Sequence, residues 1–269
     1  MTHASVLERL VKLAHTLGLS GSQQTILAEG NVSADLGDGT FYVKASGGEM
    51  ATIGAKGFTR IRTATILGAL QQEDKSDEAI QRVIAASRIN PEDKLPSIES
   101  FLHALCLEEG GAKWVGHTHA LSVVRILCSK LGTAPFQKHV FPDSIVVCGR
   151  HVATVPYADP GIHLALALQR SLSAYIEEHG IPPKVVLMKN HGPVALGQSE
   201  REVTNILLML EKWASVLLGT YCVGGPDFLE DSISHRIETR LDEHHRRQEL
   251  GYQAISKRTN GTTAKSRVG

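Results

Sequence analysis

Three short segments carry residue types that can do chemistry together. Gly116-His117-Thr118-His119 sits in an apolar run beginning at Trp114. If that run is a strand, side chains at i and i+2 share a face, and two imidazoles stand side by side as two ligands of one metal ion. Lys189-Asn190-His191-Gly192 follows the apolar run Val185 to Met188 and puts a third histidine in a turn at a strand end. Glycine lets the backbone bend there. Pro96-Ser97-Ile98-Glu99 opens a helix. Each segment also has a plainer explanation. His117 or His119 could be a surface or hydrogen-bonded core residue, and His191 a polar turn residue. Ser97 could cap the helix, with Glu99 a carboxylate favoured by the helix dipole. The chemical alternative makes Glu99 a proton shuttle in a cleft, with its pKa raised by partial burial. Two further loops, Gly30-Asn31-Val32-Ser33 and Ala45-Ser46-Gly47-Gly48, offer exposed N–H groups and small polar side chains that suit an anion such as phosphate.

The elements that must position these residues follow from periodicity. Val6, Leu7, Leu10, Val11 and Leu13 mark an amphipathic N-terminal helix that lacks the continuous apolar stretch of a signal peptide. Alternation on both sides of Gly37-Asp38-Gly39 predicts a hairpin. Residues 62–87 read as helical with a polar break at 71–77. Further helices are expected over 98–109, 120–129, 161–178 and 200–218, with strands over 114–119, 185–188 and 194–196. Residues 144–147 and 152–155 read as a strand pair around Gly149-Arg150. From about Ser232 the chain turns polar, then rich in Lys, Arg, Thr and Gly, which predicts a surface helix and a disordered tail. Interleaved strands and helices with hairpin-length turns give an α/β domain with a mixed or largely antiparallel sheet.

Composition narrows the function. The chain has 269 residues, 42% of them apolar, which suits one large domain or a domain with a tail. Its 28 basic and 28 acidic residues balance, and the pI is near 7.2. This removes the electrostatic basis for a nucleic-acid or acidic-membrane partner. No run of about 18 apolar residues predicts a membrane span. Cys106, Cys128, Cys148 and Cys222 show no CxxC spacing and read as free buried thiols of a reducing compartment, hence the cytoplasm. Neither GxGxxG after a strand nor GxxxxGK[ST] is present. Of the other histidines, His103 lies one helical turn after Glu99 and reads as support for the site or as a packed helix residue. His244 and His245 fall in the polar tail and read as solvated.

The ordered set GNVS, hairpin, ASGG, PSIE opening a helix with His103, GHTH and KNHGPVALG resembles the class II aldolase/adducin family over roughly residues 5–220. The Val-Lys-Ala-Ser-Gly-Gly-Glu stretch is most similar to the aldolase portion of bifunctional rhamnulose-phosphate aldolase/dehydrogenases. The resemblance implies an α/β/α sandwich around a mostly antiparallel sheet over residues 1–230, followed by the polar helix and tail at 231–269. It implies a cytoplasmic homotetramer acting on a small phosphorylated sugar. The divalent metal, usually zinc with Mn, Co or Ni also accepted by three histidines, would be held by His117, His119 and His191. Glu99 would be the acid/base, and Asn31, Ser46, Gly47 and Ser97 would bind phosphate. An assisting tyrosine would be Tyr157 or Tyr221, with Tyr157 the nominee. Ile98 stands where many phosphate-using relatives carry a second serine. The implied reaction cleaves a ketose 1-phosphate to dihydroxyacetone phosphate and an aldehyde by a metal-stabilised enediolate. A sugar-phosphate epimerase or a metal-dependent 3-keto-acid decarboxylase could use the same site, and a non-catalytic scaffold is the reading from another class. Epimerases of this kind typically carry an aspartate at the acid/base position, so Glu99 favours the aldolase.

Overall fold

A computed structural model describes residues 2–240 of the chain. The expected tail, with His244 and His245, lies outside the described residues beyond 240.

Among the described residues seven strands form one sheet: β1 (Asn31–Asp35), β2 (Thr40–Lys44), β3 (Phe58–Arg62), β4 (Trp114–His117), β5 (Ala153–Val155), β6 (Val185–Met188) and β7 (Gly192–Gly197). Their order is β3-β2-β1-β4-β7-β6-β5, antiparallel throughout except for the parallel β5–β6 pair. Among the described residues nine α-helices accompany the sheet: α1 (His3–Gly18), α2 (Thr63–Ala69), α3 (Asp77–Ser87), α4 (Ser100–Glu108), α5 (Leu121–Leu127), α6 (Pro142–Cys148), α7 (Ile162–His179), α8 (Glu200–Cys222) and α9 (Asp231–Thr239).

The sheet is covered on both faces, and the strand sequences show why. Val185 and Leu187 of β6 pack in a core with α1, α5 and α8, while Val186 and Met188 pack in a second core with α4 and α7. β7 divides likewise, Ala195 facing the first core and Val194 and Leu196 the second. Strands buried on both faces must be apolar at every position, which is how β6 and β7 read. The architecture is therefore the expected α/β/α sandwich.

The ends of several helices are set by sequence. Thr2, Ser76 and Ser199 each accept a hydrogen bond from the backbone N–H three residues on, at the starts of α1, α3 and α8. Gly180 ends α7 in the left-handed region. α8 is tied to the sheet by Glu202, buried and 3.0 Å from Lys184, and to α1 by the Arg9–Glu200 ion pair, with the Arg9 guanidinium 4.8 Å from the Trp114 ring centre.

The structure corrects four expectations. Residues 144–147 are not a strand but part of α6, which starts at Pro142. A short continuous apolar run fits a buried strand or a buried helix equally, and proline at the first helical position decides for the helix. β5 consequently has no hairpin partner and pairs in parallel with β6 across α7. β3, with alternating Phe58, Arg60 and Arg62, is an additional strand on β2. Cys128 and Cys222 are exposed, so only Cys106 and Cys148 are the expected buried thiols. Among the described residues no helix is long and apolar enough to cross a membrane.

α8 lies close over β4 at Gly116, where a Cβ would come within 2.6 Å of Val203 Cγ1 and 3.0 Å of Leu207 Cδ1. Gly116→Ala should therefore destabilise the protein by about 1–3 kcal/mol through overpacking, a fall in melting temperature on the order of 2–10 °C, read by thermal unfolding.

Candidate metal centre and active site

The three histidines come from two adjoining strand ends. β4 and β7 are neighbours with His117 opposite Val194, so the end of β4 lies beside the 188–192 turn between β6 and β7. That turn closes by Met188 pairing with Gly192, with Asn190 in the left-handed region at φ 56°. Gly192 has no room for a side chain: a Cβ there would stand 2.4 Å from the Thr118 carbonyl oxygen. Close approach of these two backbones is what brings His191 to His117. His119 lies beyond the end of β4, not in the strand as expected. Its backbone N–H donates to the Gln24 carbonyl at 2.9 Å, which turns the chain so that His119 still faces His117.

The three rings meet at mutual centroid distances of 4.8–5.1 Å. Their ligand atoms all lie within 4.8 Å of one another. His117 is fully buried and its Nδ1–H donates to the Pro193 carbonyl at 2.9 Å. His119 Nδ1–H donates to Glu29 Oε2 at 3.0 Å. Carbonyl and carboxylate oxygens carry no hydrogen, so each Nδ1 is the protonated nitrogen and each neutral ring presents a lone pair on Nε2. The two Nε2 atoms are 3.2 Å apart. Two lone pairs at that distance repel unless a cation lies between them. Tetrahedral zinc with bonds of about 2.0–2.1 Å would separate its nitrogens by about 3.3 Å. The donor set and its spacing fit a divalent ion.

Glu99 is the residue just before α4 and points into this cluster. Its Oε1 is 3.1 Å from His191 Nε2 and 3.5 Å from His117 Nε2. Its Oε2 accepts from Asn31 Nδ2 at 2.5 Å. Burial alone would push this carboxyl up. The charges of His117 and His191 and the hydrogen bonds from His191 and Asn31 outweigh it, so Glu99 is held well below the usual carboxylate range. The expectation of a raised pKa is therefore wrong, because the partners outweigh desolvation. Burial pushes His117 down to about 4, so it is neutral at pH 7.

Sequence reasoning left His103 undecided between packing and support, and it placed Ser33 in an exposed anion-binding loop, whereas Asn31 to Ser33 are buried in β1. Both belong to a buried chain of hydrogen bonds ending at Glu99. Asn31 donates to the carboxylate, so its Oδ1 faces the other way and accepts from His103 Nε2–H. His103 Nδ1 then accepts from the Ser33 hydroxyl at 2.6 Å. The relay fixes which way the Asn31 amide points. The period-2 spacing of Asn31 and Ser33, together with the Glu99-to-His103 spacing of one helical turn, was the available signal.

The remaining candidates gather beside this relay with one exception. Ser97 Oγ is 3.5 Å from Asn31 Nδ2 and accepts from the Glu99 backbone N–H at 3.2 Å. It precedes the helix by three residues, so it supports the turn and does not cap α4 directly. Ser46 is joined to the same segment by its N–H to the Leu95 carbonyl, and Ala45 bridges to Pro96. Gly47 follows in the left-handed region at φ 75°. Ser46 and Gly47 also line a cavity of about 320 Å³ with Glu49, Lys56 and Lys94. Tyr157 is the exception: it is 59% exposed, and its hydroxyl donates to Asp159 at 3.0 Å.

The family profile described as Class II Aldolase and Adducin N-terminal domain matches residues 8–218. The chain belongs to the class II aldolase and adducin family. Among curated proteins it is similar to the uncharacterized oxidoreductase YuxG of Bacillus subtilis (strain 168), at 26% identity over 198 residues. That match takes in 70% of this chain and 26% of YuxG, so the chain spans about a quarter of that relative. Among solved structures it is similar to YgbL of Klebsiella pneumoniae, a putative aldolase/epimerase/decarboxylase. The TM-score is 0.66 at 24% identity, covering 88% of this chain and 99% of that one. It is also similar to an L-fuculose 1-phosphate aldolase, with TM-score 0.67 at 18% identity, covering 88% and 96%. At these identities the solved structures establish the class II aldolase fold.

The relay makes a prediction about acid stability. Burial depresses His103 to about 3, below its ordinary 6.5. Between those values the unfolded chain binds a proton that the folded chain does not, so stability falls as pH drops through this window. His103→Leu should lower stability at pH 7.5 by about 1–3 kcal/mol, because Asn31 Oδ1 loses its buried donor. It should also flatten the acid dependence by up to about 1.4 kcal/mol per pH unit, measured by urea unfolding between pH 7.5 and 5.

Proposed function

We propose that this chain is a metal-dependent aldolase that cleaves a ketose 1-phosphate to dihydroxyacetone phosphate and an aldehyde. The observation that carries this reading is the convergence of three histidine ring nitrogens with Glu99 Oε1 facing them. His117, His119 and His191 would hold the ion, with Glu99 Oε1 beside them. The ion, zinc by preference of the donor set, would supply Lewis-acid polarisation of a carbonyl. Every other part of the task falls to side chains of this chain.

Glu99 would take and return a proton at the substrate carbon beside the carbonyl. A carboxylate kept ionised at neutral pH is in the form that accepts one. Asn31, held by His103, keeps Glu99 Oε2 occupied and so directs Oε1 at the substrate. Asn31, Ser46, Gly47 and Ser97 would anchor the phosphate, lending its binding energy to orientation of the reacting bond. In the reverse, condensation direction Tyr157 is the favoured proton donor to the aldehyde oxygen. It follows β5, whose last residue, Val155, accepts from the Lys189 N–H beside His191. The Asp159 hydrogen bond and charge hold its phenol above the ordinary value, hence protonated at pH 7. The proposed working form is a cytoplasmic homotetramer.

The test is cleavage of a panel of ketose 1-phosphates, rhamnulose and fuculose phosphates included, followed as dihydroxyacetone phosphate release. Release should stop on chelation and return with zinc. His119→Ala should abolish it, and Glu99→Gln should lower kcat about 10²–10⁴-fold with metal content unchanged. A metal-loaded protein that releases nothing from any sugar would redirect the reading to epimerisation or decarboxylation.

A further inference from the structure

The three histidines are not held alike. His117 is fully buried, within β4, and gives its Nδ1–H to a backbone carbonyl of the neighbouring strand. His119 has left the strand, its side chain is 29% exposed, and its Nδ1–H goes to a side chain, that of Glu29. No other hydrogen bond to that nitrogen is present among the described residues.

Glu29 is itself built into place. Its second oxygen, Oε1, accepts from the Ile26 N–H at 2.8 Å, so the carboxylate is fixed at both oxygens. The segment that carries it is unusually shaped, with Gln23 and Leu27 both left-handed at φ 53° although neither is glycine. It is fastened to the metal-site backbone by His119 N–H to Gln24 O and Leu121 N–H to Gln23 O. Gly30 follows Glu29 where a Cβ would stand 2.6 Å from Thr25 Cγ2 and 3.0 Å from the His117 carbonyl. The close approach at Gly30 is what sets Glu29 beside His119.

We infer that Glu29 is the positioning residue of the metal centre, holding His119 in the tautomer and orientation that present Nε2 to the ion. The inference rests on the metal-dependent reading above. A carboxylate on the far nitrogen of a ligating imidazole fixes the ring and makes it a better donor.

The test is zinc affinity, read by competition with a chromophoric chelator, in the full-length protein. Glu29→Gln keeps an oxygen for the Ile26 N–H and puts an amide NH2, a donor, where His119 Nδ1–H needs an acceptor. It should raise the zinc Kd about 10–100-fold and leave the melting temperature of the metal-free protein unchanged. The visible spectrum of the cobalt-loaded protein should change in the variant, a signature that a loop-stabilising role would not alter. In a His119→Ala background Glu29→Gln should have no further effect on Kd, because the ring it positions is gone. Unchanged zinc affinity in Glu29→Gln, or the same loss in both backgrounds, would overturn the role of Glu29 while leaving the metal centre standing. Failure of the wild-type protein to bind zinc would instead overturn the metal reading and Glu29's role with it.

Discussion

The hydrogen bond from His117 Nδ1 to the Pro193 carbonyl joins the two strands on which the centre depends. It settles the tautomer of the most buried ligand and ties β4 to β7 at the point where the 188–192 turn delivers His191. The rest of the structure can be read as support for that contact. Gly116 lets α8 press on β4, and Gly192 lets the turn touch Thr118. The Lys184–Glu202 and Arg9–Glu200 pairs hold α8 against the sheet and α1. A slip of one residue between β4 and β7 would send His117 to the opposite face and dismantle the cluster.

Much of this was legible in the sequence. The histidines announced themselves through HTH and NHG, the β1–β2 hairpin through its glycines, and α4 through the PSIE start. Two further features were harder to see for physical reasons. The run Ser144 to Val147 is apolar at three successive positions, and only Pro142 distinguishes a helix from a strand there. β3 alternates Phe58, Arg60 and Arg62, yet Arg60 and Arg62 lean on Asp38, Thr40 and the Arg88 carbonyl. Those partners are supplied by the fold, so a strand with charges at alternate positions went unassigned up to residue 62, where the helical reading began.

The site shows the same division between pattern and context. Spacing identified His117 and His119 as a pair, but for a reason only half correct, since His119 is turned inward by a loop and not by strand pleating. The direction of the Glu99 shift needed the identity of its neighbours, because burial and hydrogen bonding act in opposite senses on a carboxyl. Ser33 and His103 are ordinary residues in the sequence and become informative only once Asn31 is seen between them.

The glycines and the histidines of this centre answer to different demands. Gly116 and Gly192 are required by the packing of backbone and helix, whatever ion or substrate is handled. Of the histidines, only His117 also joins β4 to β7, through its hydrogen bond to the Pro193 carbonyl. His119 and His191 are partly exposed, so a lineage that kept the two glycines and lost those two imidazoles would shed the ligand set and keep both close approaches. For a distant homologue the glycines therefore testify to ancestry, and the imidazoles to present employment.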